Sequence, residues 1–430
     1  MSASAERLQR LHELHPSEIS LELDRVYRLL ENLGHPERRL PPVVHIAGTN
    51  GKGSTLAFLK SILKEAGYSV QVYSSPHLVD FKERIELSRG LISEGQLCFA
   101  LDQVLDANDG EPLTFFEGTT VAALLAFAND PADVLLLETG LGGRLDATNV
   151  VEQPALTIIT PISKDHEAFL GSEIAGIARQ KAGIIKPNVP LLLAQQVEEA
   201  RNVIRERAFT LEAPVWQEGE EWHVEFEDDR SILVDLGDRS YSIGDLALLG
   251  DHQIQNAAVA IVAADYMTGA TIDQDVVDKG LNNAAWPARL QDISQSDYGA
   301  ALPKGWRLIL DGGHNVAAAE TISAWLEKQA DSPVHMVLGM LSNRDPAEFL
   351  AAFEGQLQGL HLMSIPDEPN AHTALDLFNQ VPQGAAEEIG LAGSLTSALR
   401  SIADRTSSDK GTVIICGSLY LAGTVLSGRA

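Results

Sequence analysis

Short apolar runs of strand length alternate along the first half of the chain with segments whose apolar residues recur at helical spacing. An amphipathic helix is predicted from about Leu21 to Leu33. A strand at Val43–Ala47 then leads into the Gly-rich turn GTNGKGS, a helix from about Ser54 to Ala66 stops at Gly67, and a strand follows at Tyr68–Tyr73. Helix Thr119–Ala128 and strands Val134–Leu137 and Leu156–Thr160 continue the rhythm. This order predicts a mainly parallel sheet covered by helices on both faces. From Trp216 to Ile243 the pattern shortens to alternating stretches such as HVEFEDD and SILVDLGDRSYSI, which predicts an antiparallel insert. A helix over about Ile254–Met267 closes this part.

A second α/β rhythm starts at Arg307, with strands in RLILD, HMVLG, LHLMSI and TVIICG and helices after GGHN, near Glu348 and in LTSALRSIA. The stretch NNAAWPARL, residues 282–290, reads as the linker, so the expected domains are 1–284 and 285–430. Both are α/β.

Composition narrows the partners. A chain of 430 residues with 45% hydrophobic and 21% charged residues is an ordinary soluble type with more than one domain. Its 60 acidic against 32 basic side chains give a formal charge of −28, which argues against nucleic acid or an anionic membrane as partner. Any anionic ligand must be held by local groups. Cys98 and Cys416 form no metal or redox motif, and no run of 18 apolar residues occurs, so a cytoplasmic protein is expected.

Ligands of open α/β sheets bind beyond the C-terminal ends of the strands, and four strand exits here carry chemistry. After the first comes GTNGKGS, which resembles a phosphate loop but breaks the pattern G-x-x-x-x-G-K-[ST]. Lys52 is followed by Gly53, and the hydroxyl arrives one place late at Ser54. Its glycines let backbone N–H groups approach an anion at a helix N-terminus, where Lys52 could reach a phosphate. After the second strand Ser75 offers a hydroxyl to a metal, although Ser-Pro is also an ordinary strand exit. After the third, Glu138 ends an apolar strand where phosphate-loop enzymes place an acidic Mg²⁺ partner. After the fourth, His166 follows an acidic residue.

In the next helix Ile174, Ile177, Ala178 and Lys181 fall at i, i+3, i+4 and i+7, putting Lys181 on the apolar stripe. A lysine there ordinarily snorkels its amine outward. The alternative is reaction with CO₂ to a carbamate, an oxygen-donor anion for a second divalent cation. In the second domain Asp311 and His314 follow a strand, with Arg289 in the linker. They suit a ribose and a phosphate, or simply a helix cap and a surface arginine.

Taken in order, HIAGTNGKGS, YSSPHLVDFKERI, TFFEGTT, ETGLGGRLDATN, the DH before FLG, QKAGIIK, HQIQNAAVA, WPARLQ, DGGHN and CGSLYLAG resemble the folylpolyglutamate synthase/dihydrofolate synthase family of the Mur ligase superfamily. They span about residues 19–424. The family's phosphate loop carries the extra glycine, so the misfit is its mark. The resemblance implies a phosphate-loop ATPase domain and a C-terminal Rossmann-like domain with ATP between them. It implies ATP contacts at Thr49, Asn50, Gly51, Lys52, Gly53, Ser54, Asn256, Arg289 and Asp311. It implies metal ligands at Ser75, Glu138, His166 and a carbamylated Lys181, with Mg²⁺ in two sites, Mn²⁺ as a substitute and room for a monovalent cation. A pteroate or folate pocket is implied at Ile19–Leu21, with Ser20 between them, at Thr114, Phe115, Phe116 and Glu117, and at Leu145, Asp146 and Ala147. His314, Ser418 and Tyr420 are glutamate-site candidates from position.

Departures from the family pattern stand at Ser20, at Gln180 before the lysine, in WPARL and at Arg344. The implied partners are ATP, dihydropteroate or folate, and L-glutamate, acted on by a monomer. The implied reaction is amide ligation through an acyl phosphate, with Lys52, Glu138, His166 and Lys181 at its centre. A peptidoglycan-precursor ligase and a phosphate-loop regulatory ATPase are the competing classes. The first would need a UDP-sugar domain where the pteroate segments lie. The second has no use for an inward lysine.

Overall fold

A computed structural model describes residues 2–15, 22–226, 232–329 and 332–430. The chain divides into two compact units, 1–247 with 254–284, and 248–253 with 285–430.

The first unit is built on an eight-stranded sheet. Its strands are β1 (Val43–Ala47), β2 (Val70–Tyr73), β3 (Ile85–Leu87), β4 (Gly90–Leu91), β5 (Val134–Glu138), β6 (Leu156–Ile159), β7 (Leu191–Leu193) and β8 (Val215–Gln217). The order is β4-β3-β2-β5-β1-β6-β7-β8. From β2 to β8 every pairing is parallel, and β3 and β4 add an antiparallel edge. Strands β1, β2, β5 and β6 are buried along their whole length, as a sheet covered on both faces requires. The chain leaves β1 for β2 on one side and later returns to β6 on the other. The C-terminal end of β1 is therefore the switch point where such sheets bind ligands.

The helix expected from Ser54 begins two residues earlier, at Lys52, and runs to Glu65. The helix expected from Thr119 starts at Phe115, because Thr114 caps it and Glu117 closes the capping box. Helix Asp24–Asn32 falls within the stretch predicted from Leu21, but Leu21 itself lies outside the described residues.

The antiparallel insert is smaller than the alternation suggested. It is a three-stranded sheet of β9 (His223–Phe226), β10 (Ile232–Asp235) and β11 (Ser240–Ile243). Trp216 belongs instead to β8, a parallel edge strand of the main sheet. Buried Asp265 anchors the insert: it accepts both nitrogens of an Arg239 fork at 2.8 and 2.7 Å and the Tyr241 hydroxyl at 2.7 Å.

The second unit has a six-stranded sheet ordered β12-β13-β17-β14-β15-β16. Its strands are β12 (Gln291–Asp292), β13 (Trp306–Leu310), β14 (Val334–Leu338), β15 (Gly359–Leu362), β16 (Glu388–Leu391) and β17 (Gly411–Cys416). All are parallel except β12. Its core gathers Trp325, Met336, Phe349, Phe353, Leu360 and Ile414. No helix among the described residues is long and apolar enough to cross a membrane.

Candidate active site at the phosphate loop

The turn after β1 is shaped by two glycines that no other residue could replace without movement. Gly48 has φ 155°, and a Cβ there would stand 1.8 Å from Thr160 Oγ1. Gly51 has φ 87°, and a Cβ would stand 2.4 Å from Asn256 Oδ1. Asn256, on helix His252–Met267, thus packs directly against the loop.

The exit of β6 clasps the other side. Thr49 N donates to Pro161 O at 3.0 Å and Thr49 Oγ1 to Ser163 O at 3.0 Å. Ser163 N donates back to Thr49 Oγ1 at 3.1 Å, and Thr160 Oγ1 donates to Asn50 O at 2.8 Å. The loop is held from outside, which leaves the first N–H groups of helix Lys52–Glu65 for an anion. Gly53 and Ser54 form its first turn and are buried. Sequence reasoning did not single out Thr160 or Ser163; a hydroxyl at the end of a buried strand beside a phosphate loop was the available sign.

Charge converges on this turn. Lys52 Nζ donates to Gly48 O at 3.2 Å and Thr49 O at 3.3 Å and lies 3.9 Å from Glu138 Oε1. Glu138 faces the loop because β5 pairs with β1 in the register Ile46↔Glu138, so their C-terminal ends are adjacent. It is 5% exposed, a buried carboxylate held beside a cation.

Lys181 corrects the snorkelling expectation. Its amine does not reach solvent: it is 5% exposed and donates to Gly48 O at 2.6 Å. The helical spacing carries it inward, with Ile177 and Ala178 buried on the same stripe. Burial first, and then the Lys52 charge, lower its pKa to about 7, while Asp165 and Asp146 oppose the shift. Two amines thus share one backbone carbonyl.

His166 stands at the start of a short helix with φ 52°, and its N–H donates to Asp165 Oδ1 at 2.8 Å. Its imidazole lies 3.8 Å from Asp165 and is partly exposed. Asp165 is buried, and its influence on Lys181 links this turn to the loop. Ser75 is half-buried at the β2 exit. By type, hydroxyl, carboxylate and imidazole are the hard oxygen and nitrogen donors that Mg²⁺ or Mn²⁺ takes. Among the described residues no three His, Cys, Asp or Glu side chains are close enough to hold a metal.

The segments matched to a pteroate pocket divide into those the structure describes and those it does not. Ile19, Ser20 and Leu21 lie outside the described residues. Glu117 is buried, takes Arg25 in a fork at 3.0 and 2.8 Å and accepts Thr114 N at 2.8 Å. Phe115 stacks edge-on to Phe81 at 6.1 Å, with Arg84 over both rings. Phe116 lies 6.4 Å from Tyr73 and covers Gly140.

Leu145 is half-buried and Ala147 buried. Asp146 is committed to its own loop: it accepts Gly140 N, Leu141 N and Thr148 N at 3.0, 2.8 and 3.0 Å, and Thr148 Oγ1 at 2.5 Å. Burial raises its pKa in spite of these bonds. Thr148 also meets His45, which burial lowers to about 3 and keeps neutral.

In the second unit, Asp311 accepts Leu290 N and Gly313 N, each at 2.7 Å, and is buried. It ties the linker to the β13 exit. The helix-cap alternative is corrected, since Asn315 caps helix Val316–Glu327. Arg289 donates to Ala288 O at 3.1 Å. His314 Nδ1 is 3.0 Å from Gly312 O, Ser418 caps helix Leu419–Leu426, and Tyr420 is exposed.

Comparison with known proteins identifies the family. The Mur ligase middle domain matches residues 46–264, and the dihydrofolate synthetase C-terminal domain matches residues 294–428. The fold and loop therefore define a Mur-type ligase. A dihydrofolate synthase/folylpolyglutamate synthase from Bacillus subtilis is 35% identical over 423 residues, covering 94% of this chain and 94% of its own. Escherichia coli FolC, solved in complex with DHPP and ADP, superposes with a TM-score of 0.87 at 30% identity, covering 100% of this chain and 98% of its own. The Yersinia pestis bifunctional folylpolyglutamate synthase/dihydrofolate synthase complexed with AMPPNP and Mn gives 0.86 at 29%, covering 100% and 99%. The chain belongs to the dihydrofolate synthase/folylpolyglutamate synthase family.

Proposed function

We infer that this protein is an ATP-dependent ligase that joins L-glutamate by an amide bond to the carboxylate of dihydropteroate, to the γ-carboxylate of a folate, or to both. The observation that carries the reading is the gathering of Lys52, Glu138 and the buried Lys181 amine around one phosphate-type loop.

A carboxylate oxygen of the acceptor attacks the γ-phosphorus of ATP, and the bond to the ADP oxygen breaks. The resulting acyl phosphate makes the acyl carbon reactive. The amine of L-glutamate adds to that carbon and loses a proton, and the tetrahedral adduct expels phosphate to leave the amide. Lys52 swings from the loop carbonyls to the phosphate oxygens and neutralises charge there. Helix Lys52–Glu65 orients the phosphates through its first N–H groups, with Thr49, Asn50, Gly51, Gly53 and Ser54. Asn256 against Gly51 fixes the loop from behind. Arg289 and Asp311 are proposed as further ATP contacts on the sequence match, as are His314, Ser418 and Tyr420 for glutamate.

Ser75, Glu138 and His166 would hold the divalent cation, which supplies positive charge to the phosphate oxygens when bound. Lys181 suits carbamylation because only a neutral amine attacks CO₂, and its surroundings bring it to about 7. The carbamate would be a further oxygen ligand, for a second Mg²⁺. Thr114, Phe115, Phe116, Glu117, Leu145, Asp146 and Ala147 are proposed to line the acceptor pocket, where Asp146 and Glu117 act chiefly by fixing the loops. A monomer in the cytoplasm, using a monovalent cation alongside Mg²⁺, completes the reading.

The test is phosphate release by the purified protein with ATP, Mg²⁺ and dihydropteroate, with and without L-glutamate. Release that depends on glutamate, with a glutamylated product by mass spectrometry, is expected. Release independent of glutamate, with no new product, would point to a simple ATPase.

A further inference from the structure

The loop between β5 and the short helix at Ala147–Val150 presents one exposed cation, Arg144. Its backbone is fixed on three sides. Arg144 N donates to Gln180 O at 2.7 Å, Arg144 O accepts Asn149 Nδ2 at 3.0 Å, and a Cβ on Gly183 would stand 2.3 Å from Arg144 Cβ. Gly142 and Gly143 let this loop lie flat on the end of helix Ile174–Lys181, since side chains there would meet Leu170, Gln180 and the Lys181 carbonyl. The guanidinium is aimed by one side chain, Gln180 Oε1, at 3.2 Å from Nε. That partner is a neutral amide. Among the described residues no carboxylate lies within ion-pair distance of Arg144, although the chain has 60 acidic side chains. Glu138 pairs with Lys52, and Asp146, two residues on, gives its oxygens to backbone N–H groups.

An exposed guanidinium on a fixed backbone, with no carboxylate partner among the described residues, one residue from Leu145 and against the neighbour of Lys181, is arranged to receive an anion. The two acceptors differ in what they offer it. Dihydropteroate has one carboxylate, which reacts. A monoglutamyl folate has a reacting γ-carboxylate and an α-carboxylate that does not react and must still be desolvated. We propose that Arg144 binds this non-reacting α-carboxylate as a two-pronged partner, and so sets how well the enzyme extends a glutamyl tail relative to adding the first glutamate. The proposal rests on the ligase reading above and on the assignment of Leu145–Ala147 to the acceptor pocket.

The experiment compares steady-state kinetics of the full-length protein, R144Q and R144K with dihydropteroate and with monoglutamyl folate, at saturating ATP and glutamate. R144Q is expected to raise the KM for the folate at least tenfold more than that for dihydropteroate, with kcat on the folate changed far less than KM. R144K should recover part of the difference, since it restores the charge without the planar fork. Equal KM increases for both acceptors, or an increase confined to glutamate or ATP, would overturn the proposal. Thermal melting and dihydropteroate turnover of the variants separate misfolding from lost recognition. If the unmutated protein ligates neither acceptor, the ligase reading fails; if it ligates both and R144Q leaves their ratio unchanged, only the role of Arg144 fails.

Discussion

The phosphate-loop region of the first unit and the strand interiors of the second hold ionisable side chains in opposite ways. In the first, Lys52, Lys181, Glu138 and Asp165 collect at the C-terminal ends of β1, β5 and β6 or just beyond, where loop carbonyls and opposite charges receive them. In the second, His335 and His361 lie inside β14 and β15, with ring centroids 5.8 Å apart. Glycine makes room: a Cβ on Gly359 would come 2.3 Å from His335 Nδ1, and the Trp306 ring lies tilted at 5.7 Å from that of His335. Burial lowers the pKa of both, that of His361 to about 4, so at neutral pH they are uncharged rings filling space. Location within the strand separates the two cases. A polar residue inside a strand is packing, and a charged one at or beyond its C-terminal end stands where sheets of this kind bind ligands.

Replacing Lys181 by Met breaks this contrast most severely. The apolar side chain fits the buried site, so the melting temperature should hold while kcat/KM falls by about 10³-fold, the scale on which a preorganised charge contributes. His361→Phe, in the other unit, should change kcat/KM by less than about twofold, within the scatter of an independent site. Parallel kinetics and melting curves on the two variants check both.

Gly48→Ala tests the loop without touching a charge. The added methyl must push against Thr160, 1.8 Å from where its Cβ would sit, and displace the loop. A shift of that kind raises the KM for ATP by about 100-fold, measured with the acceptor saturating.

The histidines supply a pH signature. His361 titrates near 4 in the folded chain and 6.5 when unfolded, so between those values the unfolded chain binds more protons. The contribution of His361 to stability is therefore full above about pH 6.5 and is lost as pH drops towards 4. His361→Phe should flatten part of that slope, read from melting temperatures at several pH values.

The smallest effect is at Ala288. With φ 56° it occupies the left-handed region that favours glycine. Its carbonyl accepts Gly312 N at 2.9 Å, which holds that conformation. Ala288→Gly relieves the strain and should stabilise the second unit by about 0.5 kcal/mol, a gain limited by the greater freedom of glycine when unfolded.

Much of the site was legible because it rests on strand exits. Apolar runs located β1, β5 and β6, and the residues after them were the chemically informative ones. The direction of Lys181 was partly legible. Helical spacing put it on the inner stripe, but only the nearby Gly48 carbonyl explains why its amine stays there. Other features depend on contacts between distant segments. Nothing local to Asp146 shows that its carboxylate is spent on Gly140 and Leu141, and nothing in Trp216 distinguishes a parallel edge strand from an antiparallel insert. Alternation alone favoured the insert, while register with β7 decided otherwise. Arg144 was visible as part of a Gly-rich turn. Its lack of a counter-charge emerged only once Gln180 was seen as its partner.

In this ligation the terminal phosphate of ATP passes to a carboxylate and not to water. Dihydropteroate labelled with ¹⁸O in its carboxylate, turned over once with ATP and L-glutamate, tests it directly. The released phosphate is expected to carry one labelled oxygen from the acceptor. Phosphate free of label, in the presence of product or without it, would contradict it.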